Sequence, residues 1–63
     1  MLISKQTLIT MKAALINARS LVQDSASRAR RGGDFDLAER LRDIAERLAD
    51  ELDYIDRCIA KQP

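Results

Sequence analysis

The only two glycines of this 63-residue chain, Gly32 and Gly33, stand side by side at its middle, and its only proline is Pro63. No helix breaker interrupts the stretch from Ser4 to Arg31 or from Asp34 to Gln62. The apolar residues in both stretches are mainly Ala, Leu and Ile, with one Val. That mixture favours helix over strand. The expected fold class is therefore all-α: an antiparallel helical hairpin in one domain spanning 1–63. The expected helices cover 4–31 and 35–61, with a turn at 32–34.

Cap chemistry supports these limits. Ser4 suits the first N-cap, and Ile3 and Leu8 have the spacing of a hydrophobic staple. Gly32 suits the left-handed residue that closes a helix. Asp34 or Asp36 can cap the second helix, and Asp36 with Glu39 has capping-box spacing. A connection of two or three residues makes the helices antiparallel neighbours.

The apolar residues write a seam. On the first helix Leu8, Met11, Leu15, Ala18, Val22, Ser25 and Ala29 alternate steps of three and four, a heptad line. On the second, Leu37, Leu41, Ile44, Leu48, Leu52, Ile55 and Ile59 repeat every eleven residues. Folding at the glycines pairs Leu8 with Ile59, Leu15 with Leu52, Val22 with Ile44, and Ala29 with Leu37. Met11 then faces Ile55, Ala18 faces Leu48, and Ser25 faces Leu41.

Apolar residues remain outside this seam. Leu2, Ile9, Ala13 and Ile16 lie well to one side of the Leu8 line, and Ile3, Ala14 and Leu21 to the other. A helix that is apolar nearly all round is a buried helix. One hairpin seam rarely offsets ordering entropy of about 1.5 kcal/mol per residue. Self-association is expected, most simply a dimer forming a four-helix bundle, or a higher helical oligomer. The alternative is a patch that docks another protein.

Charge is divided between the halves. Residues 1–33 hold six basic side chains and one acid, and residues 34–63 hold nine acids and five bases. Lys5, Lys12 and Arg19, seven apart, line one edge of the seam. They can pair across it, Lys12 with Asp53 and Arg19 with Glu46, as such edge charges do. They can also contact nucleic-acid phosphates. The net charge of +1 and the acidic second helix favour pairing. Arg28, Arg30 and Arg31 complement the first helix's C-terminal dipole, or bind a phosphate or acidic partner there. The second helix is laced with opposite charges four apart, among them Asp36–Arg40, Asp43–Arg47 and Asp53–Arg57, a solvated face.

Several functions are disfavoured. There is no His for acid–base work. Without His and with a single Cys, a zinc site lacks ligands. Acid pairs such as Glu39/Asp43 or Glu46/Asp50 sit on the polar face. Gly32-Gly33 lacks the spacing of a phosphate-cradling loop. No catalytic residue, metal or cofactor is expected. One cysteine makes no internal disulfide, and neither a membrane span nor a leader segment is apparent, so the expected location is cytoplasmic. Cys58 is expected to pack, Tyr54 to sit at an interface rim, and Phe35 to cap the end of the core or, if exposed, to anchor a contact.

The overall plan resembles the Rop family of plasmid RNA-binding proteins in length, hairpin and dimeric bundle. That resemblance implies RNA contacts from the first helix through Lys5, Lys12 and Arg19. The family's aromatic on that helix has no counterpart here. The turn Arg31-Gly32-Gly33-Asp34 between two helices is similar to that of small type III secretion co-chaperones. It implies an apolar hairpin face that docks partner helices. The segment Leu52 to Ala60 resembles small phage proteins that sequester cyclic nucleotide signals as helical oligomers. That likeness implies basic residues at an oligomer interface holding phosphates.

The expected function is a non-enzymatic helical interaction module that self-associates and binds a partner protein, as an adaptor, co-chaperone or phage-type inhibitor. Its expected contact residues are Leu2, Ile9, Ala13 and Ile16, with Tyr54 at the rim. The alternatives are a Rop-like RNA-binding regulator and an oligomer that sequesters a phosphate-bearing nucleotide. The first would use Lys5, Lys12, Arg19 and Arg30, and the candidate nucleic-acid or phosphate contacts taken together are Lys5, Lys12, Arg19, Arg28, Arg30 and Arg31.

Overall fold

A computed structural model describes residues 3–62. The chain forms α1 (Lys5–Arg31) and α2 (Phe35–Ala60), packed antiparallel into a hairpin with extents of 48 × 17 × 14 Å. Each boundary lies within one residue of expectation. Ser4 is the N-cap of α1, its hydroxyl accepting from the Thr7 amide at 3.2 Å. Lys61 is the C-cap of α2. Ile3 stays half-exposed while Leu8 is buried.

The turn differs in detail from the sequence reading. Gly32 is right-handed, with φ −80°, and Gly33 is the left-handed residue, with φ 85°. The Asp34 amide donates to the Ala29 carbonyl at 2.9 Å, and the Gly33 amide donates to Arg30 at 3.1 Å. This pair of bonds is a Schellman closure, which needs its left-handed residue one place beyond the C-cap. The same Asp34 starts α2, since its carboxylate accepts from the Leu37 amide at 3.1 Å. Asp34, rather than Asp36, is therefore the cap. One residue ends the first helix with its backbone and opens the second with its side chain. At the open end the Gln62 side-chain amide donates to the Ile3 carbonyl at 2.9 Å.

The seam also departs from expectation. The buried residues are Leu8 and Ala26 of α1 and Ala38, Ala45, Leu52 and Ile55 of α2. Leu15, Ala18, Val22 and Ala29 are half-buried beside them, as are Leu41, Leu48 and Ile59. On α2 the contact line thus runs 38, 41, 45, 48, 52, 55, 59, a strict alternation of three and four. It matches the expected line from Leu48 to Ile59 and leaves it at two positions nearer the turn. There Ala38 and Ala45 replace Leu37 and Ile44, which remain 45% and 46% exposed. On α1 Ala26 replaces Ser25, and Met11 lies outside the seam. The physical reason is separation. A three-residue connection holds the axes close at the turn, and axis spacing follows the side chains at the contact. Alanine fits there where Leu or Ile would push the helices apart.

The turn generates a stability prediction. Replacing Gly33 by Ala places a Cβ on a left-handed residue and should cost about 1–2 kcal/mol. A Cβ on Gly32 would meet the Arg28 carbonyl at 3.5 Å, an ordinary contact. Gly32→Ala should therefore stay within about 0.5 kcal/mol of wild type. Urea unfolding of both variants checks the pair, and equal losses would contradict the turn assignment.

Candidate functional site

The seam divides the hairpin into two edges. The first carries charge. Lys12 Nζ lies 2.7 Å from Asp56 Oδ1, with side chains 39% and 50% exposed. Among the described residues this is the ion pair closer than 4 Å. Lys12 thus reaches one turn beyond Asp53, the partner expected from the sequence. Arg19 lines an open groove on this edge with Gln23, Arg42 and Glu46. It faces Glu46 without closing an ion pair. The α2 pairs four apart, such as Asp43–Arg47, also stay beyond ion-pair distance.

Toward the turn the groove continues between Ser27, Arg30, Phe35 and Arg42. Glu39, Asp43 and Glu46 line it as well, so its two arginines meet three acids. The groove is therefore a mixed-charge surface rather than a concentrated anion site. Phe35 is 64% exposed on its wall and does not cap the core. Of the three arginines at the end of α1, Arg30 enters the groove. Arg28 and Arg31, three apart and so on a shared face, do not line it, and Arg31 turns its Nε back to the Ser27 carbonyl at 3.4 Å. Lys5 is exposed, one heptad before Lys12. Among the described residues no three Cys, Asp or Glu side chains converge on a metal-binding point. None of the described helices is long and apolar enough to cross a membrane.

The expected contact residues divide between the edges. Ile9, Ala13 and Ile16 are exposed on the Lys12 side of α1, for Ile9 and Ile16 stand three before and four after Lys12. Tyr54 is half-exposed but two residues from Asp56, hence on the opposite edge of α2. Tyr54 is therefore no rim to the Ile9–Ile16 patch. Leu2 lies outside the described residues.

The second edge holds what the sequence reading placed elsewhere. On α1 it carries Met11, Ala14, Leu21 and Ser25, with the half-buried Ala18 at the border with the seam, in steps of three and four. On α2 it carries Leu37, Arg40, Ile44, Arg47, Glu51, Tyr54 and Cys58, spaced the same way. Met11, Leu21, Leu37, Ile44 and Tyr54 are all at least two-fifths exposed, while Cys58 is half-buried. Each helix thus has a second apolar line beside the one it uses within the hairpin. The signal was present in the sequence as the heptad through Ala38, Ala45, Leu52 and Ile59.

Comparison with protein families, curated proteins and solved structures gives no match.

The Lys12–Asp56 ion pair supports a modest prediction. A double-mutant cycle of Lys12→Ala and Asp56→Ala should give a coupling of about 0.3 kcal/mol that fades in 1 M salt. Urea unfolding at low and high salt checks it. A coupling above about 1 kcal/mol would mean that the pair is far less solvated than its exposure implies.

Proposed function

We propose that this chain is a non-enzymatic interaction module that self-associates and binds a partner protein. The observation that carries the reading is the choice of seam. The hairpin buries Ala26, Ala38 and Ala45 and leaves Leu21, Leu37 and Ile44 largely outside. Burying a Leu or Ile fully is worth about 1.5–3 kcal/mol, so each half-exposed one forgoes roughly 1 kcal/mol. A hairpin this small has little stability to forgo. Covering those side chains in an assembly recovers the loss. The Ile9–Ala13–Ile16 patch on the other edge then suits a partner protein, in the manner of an adaptor, co-chaperone or phage-type inhibitor. A reducing cytoplasmic setting suits the free thiol of Cys58. The RNA-binding alternative has less support, because Lys12 in the middle of its stripe already pairs with Asp56.

Native mass by light scattering tests the reading. The protein alone should be a dimer or larger, with a mass unchanged between low and about 1 M salt, because apolar association is not screened. A monomer over the whole accessible concentration range would overturn it. Tight RNA retention lost steeply with salt would replace it with the nucleic-acid reading.

A further inference from the structure

We infer that a second copy of this chain covers the edge formed by Met11, Ala14, Ala18 and Leu21 of α1 with Ile44 and Tyr54 of α2. The two copies are related by a two-fold axis that crosses α1 near residue 16 and α2 near residue 49. This rests on the self-association proposed above and assigns its surface, symmetry and register.

The first observation is the order of side chains along α1. The line beside the seam reads Thr7, Met11, Ala14, Ala18, Leu21, Ser25, all exposed except the half-buried Ala18 at its border with the seam. It is polar, large, small, small, large, polar, and reads alike from either end. An antiparallel copy whose residue numbers add to 32 sets Met11 against Leu21, Ala14 against Ala18, and Thr7 against Ser25. A two-fold contact uses the same patch on both subunits, so the patch must complement itself. The facing alanines let the helices approach, and the large side chains pack on either side of them.

The second observation comes independently from α2. Its exposed line through Ile44, Arg47, Glu51 and Tyr54 also complements itself about residue 49. An antiparallel copy sets Arg47 against Glu51 and Ile44 against Tyr54, twice by symmetry. Opposite charges meet and apolar groups meet.

The two axes coincide. Within the hairpin, Gln62 bonds Ile3, so residues whose numbers add to 65 lie at one level. Residues 16 and 49 satisfy that relation. One two-fold axis therefore serves both helices, although nothing in the packing within a hairpin requires it.

Two further features fit. The Ser25 hydroxyl donates to the Leu21 carbonyl at 3.0 Å, and the Thr7 hydroxyl lies 2.8 Å from that of Ser4. A second copy can cover both without stranding a polar group. The broad face of a 48 × 17 Å body also offers a second hairpin a full helix length to lie against. The Ile9–Ala13–Ile16 edge stays outside the assembly.

The test uses the full chain with Cys58→Ser. Protein carrying Met11→Cys is mixed with protein carrying Leu21→Cys and gently oxidised. A disulfide should join the two kinds of chain. Neither should form a covalent dimer alone, because like positions are ten residues apart along antiparallel helices. That is about 15 Å, beyond disulfide reach. A covalent dimer from either alone would overturn the register. Separately, Arg47→Glu should weaken the dimer on the order of tenfold, and adding Glu51→Arg should restore it. Both positions are exposed, so helicity by circular dichroism should stay constant. Failure of the swap to restore the dimer would overturn the α2 pairing. Leu21→Asp should give a monomer and Ile16→Asp should leave the mass unchanged. The reverse pattern would overturn this face while leaving the interaction-module reading intact. A monomeric wild type would overturn both.

Discussion

The close approach of α2 to α1 over Ala26, Ala38 and Ala45 governs the rest of the molecule. The turn makes that approach necessary. Asp34 ends one helix with its amide and opens the next with its carboxylate, leaving no slack in the connection. The buried positions there are alanines, with Val22 and Leu41 half-buried beside them. Once alanine occupies the contact, Leu37 and Ile44 rotate onto an open edge. The second apolar line of α2 follows from that rotation.

The two edges differ in chemistry. One combines a salt-bridged lysine, a groove of mixed charge and an isolated aliphatic patch at Ile9 and Ile16. Its arginines are offset by acids, which disperses any attraction for phosphate. The other edge is apolar along α1 and alternates apolar with charged residues along α2. In the proposed dimer, hydrophobic area on this edge would set the tendency to associate. Charge order along α2 would set which alignment is allowed, as edge charges do in helical assemblies. Such a dimer would separate the surface that holds it together from the surface offered to another protein.

Much of the fold is legible in the sequence. Gly32-Gly33 marked the turn, Ser4 marked a cap, and Leu8, Leu15 and Val22 marked the α1 seam. The error in α2 had a simple origin. The largest apolar residues were assigned to the contact, which selected Leu37 and Ile44 over their alanine neighbours. Size is a sound guide where helices are free to separate, and a poor one beside a short turn. The candidate site suffered accordingly. Ile9, Ala13 and Ile16 were correctly read as standing clear of the seam, yet Tyr54 was joined to them across the molecule. Of the two roles the sequence leaves to Phe35, core cap or exposed contact anchor, its exposure on the groove wall excludes the first.

The sequence by itself determined the number of helices, their limits to within a residue, their antiparallel order and the presence of more apolar surface than one seam can bury. Those properties follow from local propensity, cap chemistry and periodicity, all of which act over a few residues. Only the tertiary structure decided which of two adjacent lines on α2 faces α1, which acid Lys12 reaches, and on which edge each exposed side chain stands. These depend on the spacing and rotation of one helix against another. A shift of one residue turns a helix by about 100°, a choice that nearest-neighbour chemistry leaves open and that packing between helices resolves.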